Sequence, residues 1–473
     1  MSLLPSSIPR APDVQRFYDE PLGWLARTRA GLGDIFVLRT GGPLFSRARD
    51  CAGAVAVFGP AYHRAVLGDI DLYALPVSAA QHLALPPHLI NLNRGLHSML
   101  GEQHAQHQRV LMRVLSERSI AAQHDMVRAG LEKFVQSWQV GQRISLLSEM
   151  RRLALQVSAG LLFGNRYAGS FELASMLQAY FQLRREAAAP FNQTNETLRA
   201  EVIALGTTLD EALRRYIRWC RRPARGAADG IITRLASLEL ESGSRLSEDE
   251  LVAHSNVLFI SSNEPIAVAL TWTLLILSQL PGLRRALRHE LAQAEHTVAL
   301  PGAGQTGRLS LLDTVINESL RLLTPNALMV RVTTRPAELN GVLLPARCEL
   351  VLCPFLAHRD AERFPQPHEF WPARWHTIKP SPFEYFPFGA GGHACVGRLL
   401  AMSLLKAALT LIIPRYELVL AEDQALDWRI HIMFMPRTEP IMTVGAVGVE
   451  TPKAGRLCGP LNELVSFAAY KKS

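Results

Sequence analysis

The sequence contains little lysine, few aromatic residues and no long block of charge of one sign. Six of its 50 basic residues are lysines, aromatic residues make up 7%, and the formal net charge is +8. A nucleic-acid-binding protein usually concentrates its basic residues in a patch, and no such cluster is present here. The sequence therefore predicts no nucleic-acid partner. The basic excess is interpreted either as ordinary surface charge or as attraction for an acidic protein partner.

Cysteine-pair motifs and long apolar segments are also missing. The six cysteines form neither C-x-x-C nor C-x-x-C-H, and their scatter is typical of a reducing cytoplasm. No stretch reaches the roughly 18 uninterrupted apolar residues of a membrane-spanning helix. Residues 1–19 mix Ser, Pro, Arg and Asp without the apolar core of a signal peptide. We expect a soluble cytoplasmic monomer without a membrane anchor.

What the chain does have is 48% hydrophobic and 19% charged residues, the composition of a globular protein with a large core. Helical periodicity dominates residues 96–222. A further long helix is predicted from Ser247, where a capping serine precedes three acids, to Leu280. The first 75 residues or so combine short apolar runs with Gly and Pro and are interpreted as strands and turns.

The second half of the chain alternates short elements with loops. Helices are predicted over 283–296 and 310–323, and short strands over 329–352, with turns at 340–341 and at Pro345. A proline-rich loop covers 364–387, and a last helix is expected over 395–413. Together these patterns predict a mainly α chain with a small β part.

One segment, FGAGGHACVG at 388–397, carries the chemistry. A cysteine thiolate can ligate haem iron, and its electron donation favours O–O cleavage. The glycines, including Gly391 and Gly397, are expected to let the backbone turn under a porphyrin plane where a Cβ atom would collide. A helix start at Cys395 would favour the thiolate, Phe388 would shield the sulfur, and His393 would bind a haem propionate.

Two simpler interpretations of this segment were weighed. A lone cysteine is usually an inert core residue. The spacing of Gly389, Gly391 and Ala394 also faintly matches a dinucleotide-binding turn. Prolines rather than a strand precede that turn, at 380, 382 and 387, which argues against a nucleotide site.

The segment resembles the cytochrome P-450 signature F-x-x-G-x-[HR]-x-C-x-G at every fixed position. Two other family motifs are present upstream of it. ESLR at 318–321 resembles E-x-x-R, and FWPARW at 370–375 resembles F-x-P-x-R-W. The resemblance implies a cytochrome P-450 fold over 1–473 as one domain. Its expected parts are a β-rich region at about 1–95, a helix-rich haem-binding core at 96–440 and a C-terminal extension at 441–473.

The resemblance also implies the cofactor and the residues that hold it. The cofactor would be haem b (iron protoporphyrin IX), with Cys395 as the axial metal ligand. Glu318, Arg321 and Arg374 would form a buried ionic triad, and the E-x-x-R spacing places the first two on one helix face. Arg331 and His104 would bind the haem propionates together with His393.

The distal helix departs from the family, which carries [AG]-G-x-[DE]-T there as a proton relay for oxygen activation. Alignment gives residues 261–265, SSNEP, so Glu264 keeps the acid while Pro265 replaces the threonine. Proline removes an amide donor and is expected to kink or open the helix at Ser261. Glu264, Pro265 and Asn263 are therefore the predicted catalytic residues. The role of the missing hydroxyl could pass to Ser261, Ser262, Asn263, an ordered water or the substrate.

This departure leaves the reaction type open. Relatives without the pair include peroxide users, rearrangement enzymes and monooxygenases whose substrate supplies a hydroxyl. The first expectation is a monooxygenase that acts on a lipophilic small molecule and has a role in secondary metabolism. The alternatives are a peroxide-driven or non-oxygen-inserting enzyme and a non-catalytic haem protein. No reductase is fused to the chain, so an oxygen-dependent enzyme would need a separate ferredoxin or flavodoxin and its reductase.

Two smaller departures concern the haem edge, and the pocket walls can also be sketched. The family's H-x-x-x-R becomes His104 followed by Gln108, with Arg109 one step on, and Leu404 stands where a glutamate is frequent. Apolar lengths at 73–92, 258–269, 324–329 and 433–435 are candidate pocket walls, although each is equally suited to the core.

Overall fold

The protein is described here by a computed structural model. The described residues are 4–46, 50–76, 85–188, 192, 195–222, 229–241, 243–294, 310–430, 433–449 and 454–468.

Helices form most of the regular structure. Their bounds are α1 Gln15–Asp19, α2 Pro21–Leu32, α3 Pro60–Gly68, α4 Pro87–Leu92, α5 Gly101–Val114, α6 Glu117–Ala121, α7 His124–Gln136, α8 Leu146–Phe163, α9 Ser170–Ala187, α10 Glu196–Cys220, α11 Ile231–Ser237, α12 Glu248–Ser278, α13 Pro281–Ala294, α14 Leu311–Leu322, α15 Pro354–Ala357 and α16 Arg398–Arg415.

Strands are short and lie mainly at the two ends of the chain. Their bounds are β1 Ile35–Thr40, β2 Gly53–Val57, β3 Tyr73–Ala74, β4 Arg143–Ser145, β5 Met329–Thr333, β6 Ala337–Leu339, β7 Val342–Leu344, β8 Cys348–Leu352, β9 Tyr416–Leu420, β10 Gln424–Ala425, β11 Trp428–Ile430, β12 Phe434–Pro436, β13 Ile441–Ala446 and β14 Leu457–Cys458. The largest sheet has the order β1-β2-β8-β5-β3, and a second has the order β4-β13-β9. The predicted class, mainly α with a small β part, is confirmed.

Helix α12 runs through the middle of the core. Its start was predicted correctly, because Ser247 accepts from the Glu250 amide while the Glu250 carboxylate accepts from the Ser247 amide. The helix does not open at Ser261, since it is continuous across Pro265. The predicted alternative, a kink at this place, stays a prediction. Every residue from Ile266 to Ser278 is buried. That packing outweighs the one backbone hydrogen bond that proline removes.

The N-terminal region is less β-rich than predicted. The apolar runs expected as strands do form β1 and β2, which pair antiparallel. The segments beginning at Pro21 and Pro60, however, are helices with proline in the first turn. The sequence analysis interprets proline as the end of a regular element. At the first helical position, however, proline favours the start of a helix, because its φ is already fixed near the helical value. The single domain over 1–473 stays a prediction.

The segment 329–352 follows the sequence expectation closely. Strands β6 and β7 form a hairpin whose turn residues Asn340 and Gly341 have φ of 49° and 82°. This left-handed backbone at both positions explains the Asn-Gly pair. The last long helix begins at Arg398, three residues after the predicted start at Cys395. Strands β9 to β14 were not predicted, because runs of two to six residues carry little periodicity.

By length and composition, one helix in the described part of the chain is apolar enough to cross a membrane. It is α12, and 78% of its most apolar window is buried inside the protein.

Candidate functional site

Cys395 lies in a tight loop between a 3-10 turn at Gly391–His393 and helix α16. The loop is closed by the Cys395 amide, which donates to the Phe388 carbonyl over 2.8 Å. The Cys395 side chain is exposed although Phe386 and Ala390 beside it are buried. Desolvation by the surrounding protein raises the pKa of the Cys395 thiol, and a hydrogen bond from the Gly397 backbone only partly offsets this. The favourable effect of the following helix start on the thiolate stays a prediction.

Two of the loop glycines are required by the backbone itself. Gly389 and Gly391 have φ of 70° and 68°, which side-chain-bearing residues rarely adopt. A Cβ atom on Gly391 would overlap the carbonyl oxygen of Leu67 at the end of α3. The predicted collision of a Cβ atom with the porphyrin stays a prediction. At Gly397 the nearest neighbour of a Cβ atom would be the Cys395 sulfur at 3.8 Å, an ordinary contact.

A group of basic side chains meets beside this loop. His393 Nδ1 lies 3.1 Å from Nε2 of His104 on α5, while His393 Nε2 is buried without a partner. Burial, with the nearby Arg331 charge, lowers the pKa of His393 to about 3. Arg331 on β5 is 3% exposed, and its guanidinium donates to the Val330 carbonyl over 2.9 Å. Burial alone lowers the pKa of Arg331 to about 10, with no acid contributing.

His97 joins this group and was missed by the sequence analysis. It is exposed, yet burial lowers its pKa, with Arg331 and His104 adding to the effect. A side chain that a solvent probe can reach, but that has protein on most sides, lines an enclosed cleft. Cys395 is in the same situation. No motif spacing marks His97, because it lies in a one-turn element, Leu96–Ser98, with no periodicity of its own.

The departures near His104 now have a structural account. Gln108, at the position of the family arginine, donates to the Gly392 carbonyl over 2.7 Å and so ties α5 to the cysteine loop. Arg109 instead pairs with Glu102 at 3.0 Å in an exposed position. Leu404 on α16 is a buried core residue.

Glu318 is the centre of a fully buried cluster. Its carboxylate accepts from Arg321 Nη2 at 2.8 Å and Nε at 2.9 Å, and from Arg374 Nε at 2.9 Å. It also accepts from the Trp371 amide at 2.9 Å and the Trp375 indole at 3.0 Å. All three charged side chains are 0% exposed. The structure thus brings together the three residues predicted as a triad.

Two guanidinium groups and one carboxylate leave a net positive charge in the core. Main-chain carbonyls balance it: Arg321 donates to those of His358, Pro367 and Glu369. A buried ion pair is favourable only when the remaining donors also have hydrogen-bond partners, as those of Arg321 do. The cluster fastens α14 to the loop that leads to the cysteine.

On α12, the predicted catalytic residues face different directions. Ser261 is exposed in the middle of a buried helix, so it also lines a cleft, and Pro265 is partly exposed. Ser262 is turned away, since its hydroxyl donates to the Phe259 carbonyl over 3.2 Å. Asn263 is 4% exposed with Nδ2 unpartnered. Among the described residues that were named as substitutes for the missing threonine, Ser261 has the free hydroxyl.

Glu264 is held by Arg151 of α8, whose Nε lies 3.1 Å from each carboxylate oxygen. Both line a small cleft together with Gln178 and Arg185 of α9. Met435, on a segment named as a pocket wall, has its sulfur 3.9 Å from Arg151 Nη2. Within the segment at 73–92, residues 77–84 lie outside the described residues.

Comparisons with known proteins identify the family of this chain. The cytochrome P450 family profile matches residues 39–443. A putative cytochrome P450 139 of Mycobacterium bovis is 27% identical over 325 residues, which covers 67% of this chain and 75% of the relative. Cyclooctatin synthase of Streptomyces melanosporofaciens is 27% identical over 339 residues, covering 69% of this chain and 73% of the relative.

Solved structures share the fold. Retinoic acid bound cyanobacterial CYP120A1 superposes with a TM-score of 0.76 at 19% identity, covering 94% of this chain and 100% of the other. A cytochrome P450DA heme domain gives 0.76 at 20% identity, covering 94% and 98%. With the family profile spanning most of its length, this chain belongs to the cytochrome P450 family.

Proposed function

We propose that the protein is a haem-thiolate monooxygenase that oxidises a lipophilic small molecule, with Cys395 as the axial ligand of haem b. The observation that carries the proposal is the accessible Cys395 sulfur, set in the ten-residue family signature. Among the described residues, no group of three His, Cys, Asp or Glu side chains is arranged to hold a metal ion. A cofactor that brings its own nitrogen ligands and needs one sulfur fits this site.

The basic group beside the loop supports the same cofactor. The orphaned Nε2 of His393, the acid-free guanidinium of Arg331 and the accessible His97 are donors without an anionic partner. A buried cation of this kind is costly unless a ligand supplies the anion. The two propionates of haem b would supply it. Their carboxylates would accept from Arg331, His393 and His97, with His104 holding the His393 ring in position.

Haem bound through a thiolate supplies the oxygen-activating chemistry, and the protein supplies protons and position. Glu264 would take up protons from the cleft between α8, α9 and α12, where Arg151 holds its carboxylate in one orientation. Proline at 265 leaves the Ser261 carbonyl without its usual helical donor. That carbonyl and the Ser261 hydroxyl would together bind a water molecule at the cleft and pass protons inward. Asn263 would present its free amide to the same cleft.

The remaining parts of the proposal rest on composition and relatives. An apolar lining from α12 and the 433–435 segment favours a lipophilic substrate. The name of the Streptomyces relative, cyclooctatin synthase, describes a biosynthetic enzyme and favours a role in secondary metabolism. Electrons would come from a separate ferredoxin or flavodoxin and its reductase in the cytoplasm.

A second candidate is favoured by one observation, the lack of a hydroxyl at Pro265 beside a carboxylate already paired with Arg151. A peroxide-driven enzyme needs no such relay, because peroxide brings the oxygen atoms, electrons and protons together.

Parallel turnover distinguishes the two candidates. One spectroscopically binding substrate is incubated with NAD(P)H and surrogate redox proteins, or with hydrogen peroxide alone. The proposal predicts product with the redox proteins. Product with peroxide only contradicts the monooxygenase, and no product under either condition favours a non-catalytic haem protein.

A further inference from the structure

Residues 454–468, in the C-terminal extension, connect the end of α12 with the loop at 364–387 that leads to Cys395. They lie beyond residue 443, where the match to the family profile ends. Four apolar side chains of this segment are at most 8% exposed and belong to the main hydrophobic core: Leu457, Leu461, Val465 and Phe467. The segment is therefore an integral part of the folded protein.

The start of the segment is fastened to the end of α12. Gln279, which follows the last residue of that helix, donates from Nε2 to the Gly455 carbonyl over 3.3 Å, and its Oε1 accepts from the Leu457 amide over 3.0 Å. A Cβ atom on Gly455 would come within 2.0 Å of the Glu422 carbonyl oxygen, so this close approach requires glycine. One amide side chain thus joins α12 to the extension through both of its polar atoms.

The end of the segment pairs with the loop that leads to the cysteine. The Ser466 amide donates to the His368 carbonyl over 2.8 Å, and the Phe370 amide donates to the Ser466 carbonyl over 2.9 Å. These two bonds lie on either side of Glu369, whose carboxylate accepts from the Ser466 hydroxyl. Ser466 therefore fixes the position of Glu369 through its backbone and its side chain.

The position of Glu369 matters because its carbonyl belongs to the buried cluster around Glu318. That carbonyl accepts from Arg321 Nη2 over 3.1 Å and from Arg374 Nη2 over 3.2 Å. Both arginine side chains are 0% exposed, so neither can turn to water if the carbonyl moves. A buried charged donor without a partner is costly, since its desolvation is then uncompensated. The extension thus supports the cluster that fastens α14 to the loop.

Arg359 provides a second link between the extension and α14. Its Nη2 donates to the Leu464 carbonyl over 3.1 Å and to the carbonyl of Leu322, the last residue of α14, over 2.7 Å. The Arg359 side chain is buried, so these carbonyls take the place of water. Through Gln279, Arg359 and Ser466, the extension joins α12, α14 and the loop before the cysteine.

We propose that residues 454–468 form a clasp that holds this loop, and with it Cys395, in position relative to α12, with Gln279 and Ser466 as positioning residues. The inference rests on the proposed function, which gives Cys395 the role of sulfur ligand and α12 that of the distal helix. Groups that orient the surroundings of a metal ligand contribute to metal affinity. Loosening either end of the clasp lets the loop move and weakens the hold of the protein on haem.

The test measures how fast ferric haem passes from the full-length holoprotein to excess apomyoglobin at neutral pH. In Gln279→Leu and in Ser466→Ala we expect haem loss to be about fivefold faster, because each variant removes hydrogen bonds at one end of the clasp. The double variant should lose haem faster than either single variant. Ser466→Thr keeps the hydroxyl and should lose haem at a rate close to that of the wild-type protein.

Two controls separate positioning from general stability. Gln156→Leu removes a partly buried amide bond to the Gly130 carbonyl, between α8 and α7. It should lower the free energy of unfolding in urea about as much as Gln279→Leu does, while haem loss stays at the wild-type rate. Glu463→Gln, at an exposed position within the clasp, should change neither quantity.

A wild-type rate of haem loss in either Gln279→Leu or Ser466→Ala would overturn the inference, and so would an equal acceleration in Gln156→Leu. A carbon monoxide spectrum of the wild-type preparation separates the two proposals. A sulfur-ligated spectrum with unchanged haem loss in the variants contradicts only the clasp. A wild-type protein that lacks this spectrum contradicts the proposed function.

Discussion

The carboxylate of Glu264 on α12 and the guanidinium of Arg151 on α8 form a side-on pair, with Arg151 Nε 3.1 Å from each oxygen. Their side chains are 11% and 19% exposed. The pair holds the acid of the distal helix in one orientation at the inner end of a cleft. It also joins two helices that pack closely along their length.

Removing Arg151 should therefore cost stability. In Arg151→Met a buried carboxylate loses its counter-charge, and we expect the free energy of unfolding to fall by about 3 kcal/mol. The double variant Arg151→Met with Glu264→Gln should recover most of that loss, because it leaves no unpaired charge. Urea unfolding of the wild-type protein, the two single variants and the double variant measures the coupling free energy between the two residues. Additive losses would show that the two residues do not interact.

Ser261 and Pro265 should control the coupling efficiency, which is the amount of product formed per NAD(P)H consumed. Ser261→Ala removes the hydroxyl proposed to hold water at the cleft, so product formed per NAD(P)H consumed should fall about tenfold. Pro265→Thr restores a hydroxyl and an amide, and the same ratio should rise. Ser262→Ala is the control, since its hydroxyl is bonded to Phe259 and should leave the ratio unchanged. Equal effects of the two serine variants would contradict the role of Ser261.

The buried cluster around Glu318 should be needed for a folded haem site. In Glu318→Gln two guanidinium groups face an amide, and we expect a loss of at least about 3 kcal/mol in the free energy of unfolding with lowered haem content. The matched control is Glu362→Gln, at an exposed glutamate in the loop after α15, which should behave as wild type. Chemical unfolding and the haem-to-protein ratio are the measurements. Normal values for Glu318→Gln would rule out a structural role for the cluster.

His254 should make the protein sensitive to mild acid. Its Nε2 lies 2.8 Å from His107 Nδ1, and His107 Nε2 lies 3.2 Å from Glu250. Burial, reinforced by His107 and His97 and opposed by Glu250, lowers the pKa of His254 from 6.5 to about 4. Between these values the unfolded chain binds a proton that folded His254 does not. Stability is therefore full above pH 6.5 and falls as the pH drops toward 4, by on the order of 2–3 kcal/mol.

The control for this prediction is His254→Gln, which can still donate to His107 but does not titrate. Its free energy of unfolding should change less between pH 6.5 and pH 4 than that of the wild-type protein. Parallel slopes for the two proteins would remove His254 as the source of the acid sensitivity.

The sequence allowed the elements with strong periodicity or strong end signals to be predicted. The start of α12 followed from Ser247 and the acids after it, and the β6–β7 hairpin followed from Asn340–Gly341. Proline was less informative, because its effect depends on position: it starts α2 and α3 and is tolerated inside α12. Short strands after α16 carry too few residues for a pattern to be detected.

The candidate site divides in the same way. Residues in a spaced motif, such as Cys395, Glu318 and Arg374, were identified from the sequence because the chemistry requires those side chains at those intervals. Arg151 was not identified, since its role arises from a contact between helices distant in sequence. The reason for glycine at Gly391 was likewise hidden, because it depends on the backbone of α3.

The central claim is that Cys395 supplies the sulfur ligand of haem, and the carbon monoxide difference spectrum of the reduced protein tests it most directly. The account predicts that the purified wild-type protein contains iron porphyrin and gives the band characteristic of thiolate ligation. It predicts that Cys395→Ser loses this band, while Cys458→Ser, at an exposed cysteine elsewhere, keeps it. An unchanged band in Cys395→Ser, or a wild-type protein that binds no haem, would contradict the account.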